Sequence, residues 1–248
     1  MRALDLGLVA AQLEGLEETI IHKLLDRAQF AANSPAYDPG ASGFAGVTDR
    51  SLFDLRLRYQ EEMDAVFGRY MVPEERPYHT NLPAPRREVT LPPTPLQASA
   101  IRSVNLTPRI VTHYLSYLPL LCHEEHDGQY GSSVEHDVLA IQALGRRIHF
   151  GSLYVAESKF RADSPAFTAT AERGDRSGLM KLITRAEVEE RILERVREKV
   201  DYVQASVNTG VRKRVDPEVV LRLYRDAIIP LTKEGQIDYL LARVAGTG

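Results

Sequence analysis

The apolar residues of this chain recur at steps of three and four, and that period constrains the fold more than any other feature. Leu13, Leu16, Ile20, Leu24 and Ala28 form one stripe of an amphipathic helix, closed by Ser34-Pro35. Leu52, Leu55, Tyr59, Met63 and Phe67 form a second stripe, predicting a helix from Ser51 to about Tyr70. Thr107-Pro108 opens a third helix through Leu121, because proline suits a first helical turn. Ser132 or Ser133 is placed to cap the next one, with Glu135 and Asp137 near its positive end. That helix is expected to reach about Lys159, before Asp163-Ser164-Pro165 stops it. Thr184 and Glu187 have capping-box spacing, and Val188, Ile192, Val196, Val200 and Val203 follow them. Asp216-Pro217 introduces the last helical stretch, from Val219 towards Val244, with a kink or break at Pro230. No strand pattern exceeds a few residues, so the expected class is all-α, a multi-helix bundle.

Most of the prolines fall at about 71–98, which reads as an extended loop. Such a loop can wrap one helical core, so a single domain over 1–248 is expected. The net charge of −3 argues against nucleic-acid and membrane-surface partners. The lone Cys122 excludes an internal disulfide framework and suits a reducing compartment. No apolar run approaches a membrane span, and Asp5 interrupts the N-terminal run, so a cytoplasmic location is expected. The segment from His123 to His126, HEEH, lacks the spacing of a zinc-protease helix and lies in a connection. No metal and no cofactor is expected.

The most informative motif is RRIHFGSLYVAESKF, from Arg146 to Phe160. It resembles the RRIHFGKFVAE-x-KF helix of chorismate mutases of the fungal and plant type. Further resemblance lies in EETIIHKLLDRAQF (17–30), GQYGSSVEHD (128–137), GLMKLITRAEVEERILERV (178–196) and YRDAIIPLTKEGQIDYLLARV (224–244). The resemblance runs over nearly the whole chain. It implies an all-helical homodimer with an active site inside each protomer, and a [3,3] Claisen rearrangement of chorismate to prephenate. That reaction needs neither a covalent nucleophile nor net proton transfer. Positioning a flexible dicarboxylate and stabilising charge at the breaking ether bond supply the rate.

The resemblance implies roles residue by residue. Arg147 falls on the arginine that holds a carboxylate. Lys159 falls on the lysine that reaches the ether oxygen and a carboxylate. Glu189 falls on the residue that binds the substrate hydroxyl, and Thr232 on one that assists a carboxylate. Gln236 takes the place of an ether-binding glutamate. An amide donates a hydrogen bond at any pH, so activity is expected to persist at neutral and alkaline pH.

Several positions depart from the pattern. Ala10 stands where the family has a carboxylate-binding arginine, and Arg2 does not align with it. Arg185 replaces an asparagine; it restores the charge count or pairs with Glu189 one turn on. Gly235 replaces a larger apolar residue, and with Ala10 it suggests a roomier pocket. The arginine and lysine of the motif are also twelve residues apart instead of eleven. At about 100° per residue, eleven leaves two positions about 20° apart and twelve about 120° apart. A π-bulge near Gly151-Ser152 would restore the facing. Gly131 and Ser132 match the family's effector site for aromatic amino acids, with Arg69 beside them. Gly68 and Glu135 replace an arginine and a threonine there, so regulation is expected to be weak or absent. Three readings follow: a chorismate mutase, a pericyclase of the same fold for a related ether, and a non-catalytic binding paralogue.

Overall fold

The computed structural model describes residues 4–123 and 125–246. Among them are eleven α-helices and no strand: α1 (Leu6–Arg27), α2 (Leu52–Val66), α3 (Ala98–Arg102), α4 (Thr107–Leu121), α5 (Tyr130–Phe150), α6 (Ala156–Ala162), α7 (Ser164–Glu172), α8 (Arg176–Ile183), α9 (Ala186–Gln204), α10 (Pro217–Leu223) and α11 (Ile229–Ala245). Two π-helical turns interrupt longer rods. Gly151–Val155 joins α5 to α6, and Tyr224–Ile228 joins α10 to α11. No helix among the described residues is long and apolar enough to cross a membrane.

Apolar side chains pack into two clusters. The larger draws on α1, α2, α4, α5, α9 and α10, with Ile20, Leu24, Ile110, Ile141, Val196 and Leu221 at its centre. The smaller joins α3 and α6–α8, with Ala100, Ala156, Phe167 and Leu179. The α5–α6 rod and α11 run through both, giving Ile148 and Leu231 to the first and Leu153, Ile237 and Leu240 to the second. The seam between the clusters is where the candidate site forms.

A buried polar knot far from that seam ties α1, α4 and α5 together. The Arg27 guanidinium donates to Asp137 Oδ1 at 2.6 Å, and the hydroxyls of Tyr37 and Tyr114 donate to the same carboxylate at 2.6 and 2.8 Å. Both members of the ion pair are fully buried. Cys122 lies against Arg27, and burial pushes its thiol up to about 11, away from reactive thiolate chemistry.

Several helix boundaries differ from those read in the sequence. The α5 helix begins at Tyr130, and neither Ser132 nor Ser133 caps it. Ser133 is buried and accepts from Asn33 Nδ2 at 2.8 Å, a partner 100 residues away. The Thr184–Glu187 capping box does not form: Thr184 ends α8, and Arg185 holds the N-cap position of α9 without a side-chain bond. Asp163 and Asp175 instead cap α7 and α8 through their side chains. The α2 stripe divides. Leu55 is in the core, but Tyr59, Met63 and Phe67 are 55%, 51% and 65% exposed. The proline-rich stretch remains non-helical between Met71 and Ala98, as expected.

Candidate active site

The π-helical turn at Gly151–Val155 absorbs the extra residue of the Arg146–Phe160 motif. Downstream positions are rotated back as though the spacing were eleven. Arg147 on α5 and Lys159 on α6 consequently line one cavity of about 180 Å³. Gly235 on α11 completes this adjustment. A Cβ there would lie 2.2 Å from Ser152 Oγ and 2.7 Å from Ser152 Cβ. Gly235 is buried against the bulge and does not line the cavity, so its expected role in widening the pocket is corrected. The inserted residue needs space on α11, and the missing side chain provides it.

Arg147 is 3% exposed. Its Nη1 donates to Thr232 Oγ1 at 3.0 Å, and its guanidinium carbon lies 5.8 Å from the Tyr224 ring centroid. Its Nε is buried and has no hydrogen-bond partner among the described residues. No carboxylate forms an ion pair with it there. Burial therefore lowers its pKa, with smaller opposing pulls from Tyr224 and Glu17. An anion entering the cavity would supply the missing partner. Gly151 lets Thr232 approach, since a Cβ at that position would lie 2.9 Å from Thr232 Cγ2.

Lys159 is clamped. Its Nζ donates to the Ile183 carbonyl at 2.6 Å and to Gln236 Oε1 at 3.2 Å. The first bond satisfies a carbonyl at the C-terminal end of α8, where a cation is favourable. The second fixes the Gln236 amide, because its oxygen must face the ammonium. Its NH2 then remains to donate and has no acceptor among the described residues. Burial is the main reason Lys159 falls to about 8, with Arg185 and Lys233 lowering it and Glu189 opposing.

Glu189 accepts from Lys233 Nζ at 2.9 Å, not from Arg185. Arg185 and Glu189 line the same cavity as Lys159, Gln236 and Thr232. Lys233 is a site residue the sequence reading did not single out. It precedes Glu234 beside Thr232 in the α11 segment, and its lysine could be read as a solvated charge. Val155, Val188, Ile192 and Ile229 make the wall apolar, which strengthens the charged groups inside it. Arg146 is 45% exposed with its Nε 3.7 Å from Glu75 and lies outside this cavity. His149 is fully buried and held to about 3 by desolvation, and its Nε2 accepts from the Leu106 amide at 2.9 Å. It is a packed neutral ring.

No family model matches the chain. Full-length relatives do. Chorismate mutase 2 of Petunia hybrida is 38% identical over 97% of this chain and 94% of its own length. Chorismate mutase of Trichoderma parareesei is 34% identical over 98% and 94%. This chain belongs to the chorismate mutase family. A crystal structure of the Candida albicans chorismate mutase in complex with L-Trp superposes with a TM-score of 0.88 at 31% identity, covering 98% of this chain and 92% of that one.

Against the chorismate mutase pattern, the substituted positions now have places. Ala10 is exposed on α1 and borders a second cavity of about 300 Å³, which shares Leu13, Arg147, Val188 and Ile192 with the first. Arg185 does not line that second cavity, so it does not stand in at the Ala10 end. Arg2 and Glu124 of the HEEH segment lie outside the described residues. At the effector positions, Arg69 already donates to Glu75, Asp64 and Gln142, at 3.0, 3.3 and 2.7 Å. Gly68 carries φ +82°, and a Cβ would lie 2.6 Å from Val89 Cγ2, so a side chain in this turn after α2 would be strained. Gly131 and Ser132 are exposed on the first turn of α5.

Proposed function

We propose that this chain converts chorismate to prephenate by a [3,3] rearrangement in the cavity bounded by Arg147, Lys159, Glu189 and Gln236. One observation carries the reading: the buried Arg147 and the clamped Lys159 line the same cavity despite the extra residue between them. Arg147, steadied by Thr232, binds a substrate carboxylate. Lys159 and the free NH2 of Gln236 converge on the ether oxygen, where negative charge grows as the C–O bond breaks. Glu189 accepts from the substrate hydroxyl, and Arg185 adds positive charge to the cavity wall beside Lys159. The groups are fixed by protein hydrogen bonds before substrate arrives, so little reorganisation is needed at the moment of reaction. No cofactor is required, because the electron reorganisation stays within one molecule.

The exposed Tyr59, Met63 and Phe67 stripe, with Phe44 beside Tyr59 at a centroid distance of 6.4 Å, supports a homodimer packed through α2. Purified protein mixed with chorismate tests the reaction through loss of its absorbance. A rate far above the uncatalysed one is expected. A rate indistinguishable from background would overturn the reading.

A further inference from the structure

The second cavity carries a charge pattern of its own. Besides the residues it shares with the first, it is lined by Ala10, Glu14, Glu17, Arg191 and Arg195. Its acids are already matched. Glu17 is fully buried and accepts from Arg195 at 2.8 and 2.6 Å and from Lys199 at 3.3 Å. Glu14 lies 3.4 Å from Arg195 Nη1. Arg195 is therefore occupied from both sides.

Arg191 is not. Its Nε donates to the Glu187 carbonyl at 3.2 Å, one helical turn back, and no carboxylate pairs with its guanidinium among the described residues. Across the same void stands Arg147, buried, with its Nε unpartnered. Val188, Arg191, Ile192 and Arg195 follow each other at steps of three, one and three, so one face of α9 presents them all towards α1. Ala10, on that facing helix, leaves the space between them unfilled.

We propose that Arg191 reaches from α9 across the space left by Ala10 and binds the substrate's second carboxylate, opposite the Arg147 side. The inference rests on the reading of the site as a chorismate mutase centre. Two guanidinium groups without acid partners among the described residues border one void, which shares Leu13, Arg147, Val188 and Ile192 with the reaction cavity. A dianionic ligand satisfies both, and a monoanion satisfies only one. The cation has changed helices: α1 supplies room and α9 supplies charge. Arg191 is held by one backbone bond, so it orders on binding, and its contribution belongs to affinity more than to the chemical step.

The test compares wild type, Arg191→Ala, Arg191→Lys and the double variant Arg191→Ala/Ala10→Arg. Chorismate turnover and calorimetric binding of prephenate, a dicarboxylate, are measured, with melting temperature recorded for each protein. Removing a charge-assisted hydrogen bond should raise KM and weaken prephenate binding about tenfold or more in Arg191→Ala, with kcat changed less and melting unchanged. Arg191→Lys should retain part of the affinity, and the double variant should recover it from the other helix. Turnover and binding by Arg191→Ala within twofold of wild type would overturn the inference while leaving the proposed reaction standing. Wild type that binds prephenate through Arg191 without consuming chorismate would overturn the reaction and leave the inference standing. Wild type that does neither would overturn both.

Discussion

The two ends of the cleft are built differently. At one end Lys159 is fixed between the Ile183 carbonyl and the Gln236 amide, inside an apolar wall. At the other, Ala10 faces a void of about 300 Å³ bordered by an arginine with one backbone bond. The first end is organised before the substrate arrives, while the second must be ordered by it. A charge that is already in place can act on the transition state, whereas ordering a loose one consumes binding energy. The difference predicts that damage at the Lys159 end appears in kcat and damage at the Ala10 end appears in KM.

The largest expected effect is at the fixed end. Lys159→Ala removes the donor that the proposed reaction sets against developing charge and should lower kcat by about 10²–10³. A smaller drop, with KM raised instead, would mean that Lys159 only holds substrate. Gly235→Ala should come next, since it damages the same end indirectly. Helix propensity would gain about 1 kcal/mol. The 2.7 Å approach of the new Cβ to Ser152 Cβ cannot be relieved by rotating a side chain. Overpacking should therefore win, costing about 1–3 kcal/mol and rotating Lys159 out of line. Stability unchanged or raised in thermal denaturation would show that the bulge has room to spare.

The pH profile sharpens the comparison further. Gln236 removes the need for a protonated carboxyl, which alone would let activity persist at alkaline pH. Lys159 adds a limit: in the proposed reaction its cationic form acts, and burial lowers the free enzyme's ammonium to about 8. The sign is a loss of kcat/KM as pH rises through about 8, tending to tenfold per unit. Arg185 and Lys233 push Lys159 in the same direction, and Glu189 pushes against them. A bound dianion favours the ammonium, so kcat should persist to higher pH than kcat/KM. A flat kcat/KM to pH 10 would contradict the burial of Lys159. The smallest effect concerns regulation. With Arg69 committed to Glu75, Asp64 and Gln142, and Glu135 standing where the family has a threonine, tyrosine should change the rate by less than about twofold. Strong inhibition at micromolar tyrosine would show that Arg69 can be released.

Much of this architecture was legible in the residues. The three- and four-residue apolar steps located the long helices, and the motif containing Arg147 and Lys159 located the cavity. The spacing of twelve pointed to a π-turn as one way to restore the facing, and one is present at Gly151–Val155. The helix starts were less legible, because capping residues compete. Ser133 is taken by Asn33, and Thr184 ends α8 before it can begin α9. The α2 stripe did not reveal which of its residues enter the protomer core, because an apolar face reads the same whether a neighbouring helix or another copy covers it. Gly235 was read as empty pocket space because a missing side chain does not reveal which neighbour fills it. Arg191 was invisible among the charges of α9. Only the folded chain shows that Glu14 and Glu17 use Arg195 and leave Arg191 without an acid partner among the described residues.

The most direct test of the two-ended cleft is steady-state kinetics of chorismate consumption by wild type, Lys159→Ala and Arg191→Ala side by side. The account predicts that wild type turns over, that Lys159→Ala loses kcat by about 10²–10³, and that Arg191→Ala keeps most of kcat while KM rises about tenfold. Equal losses of the same parameter in both variants, or no turnover by wild type, would contradict it.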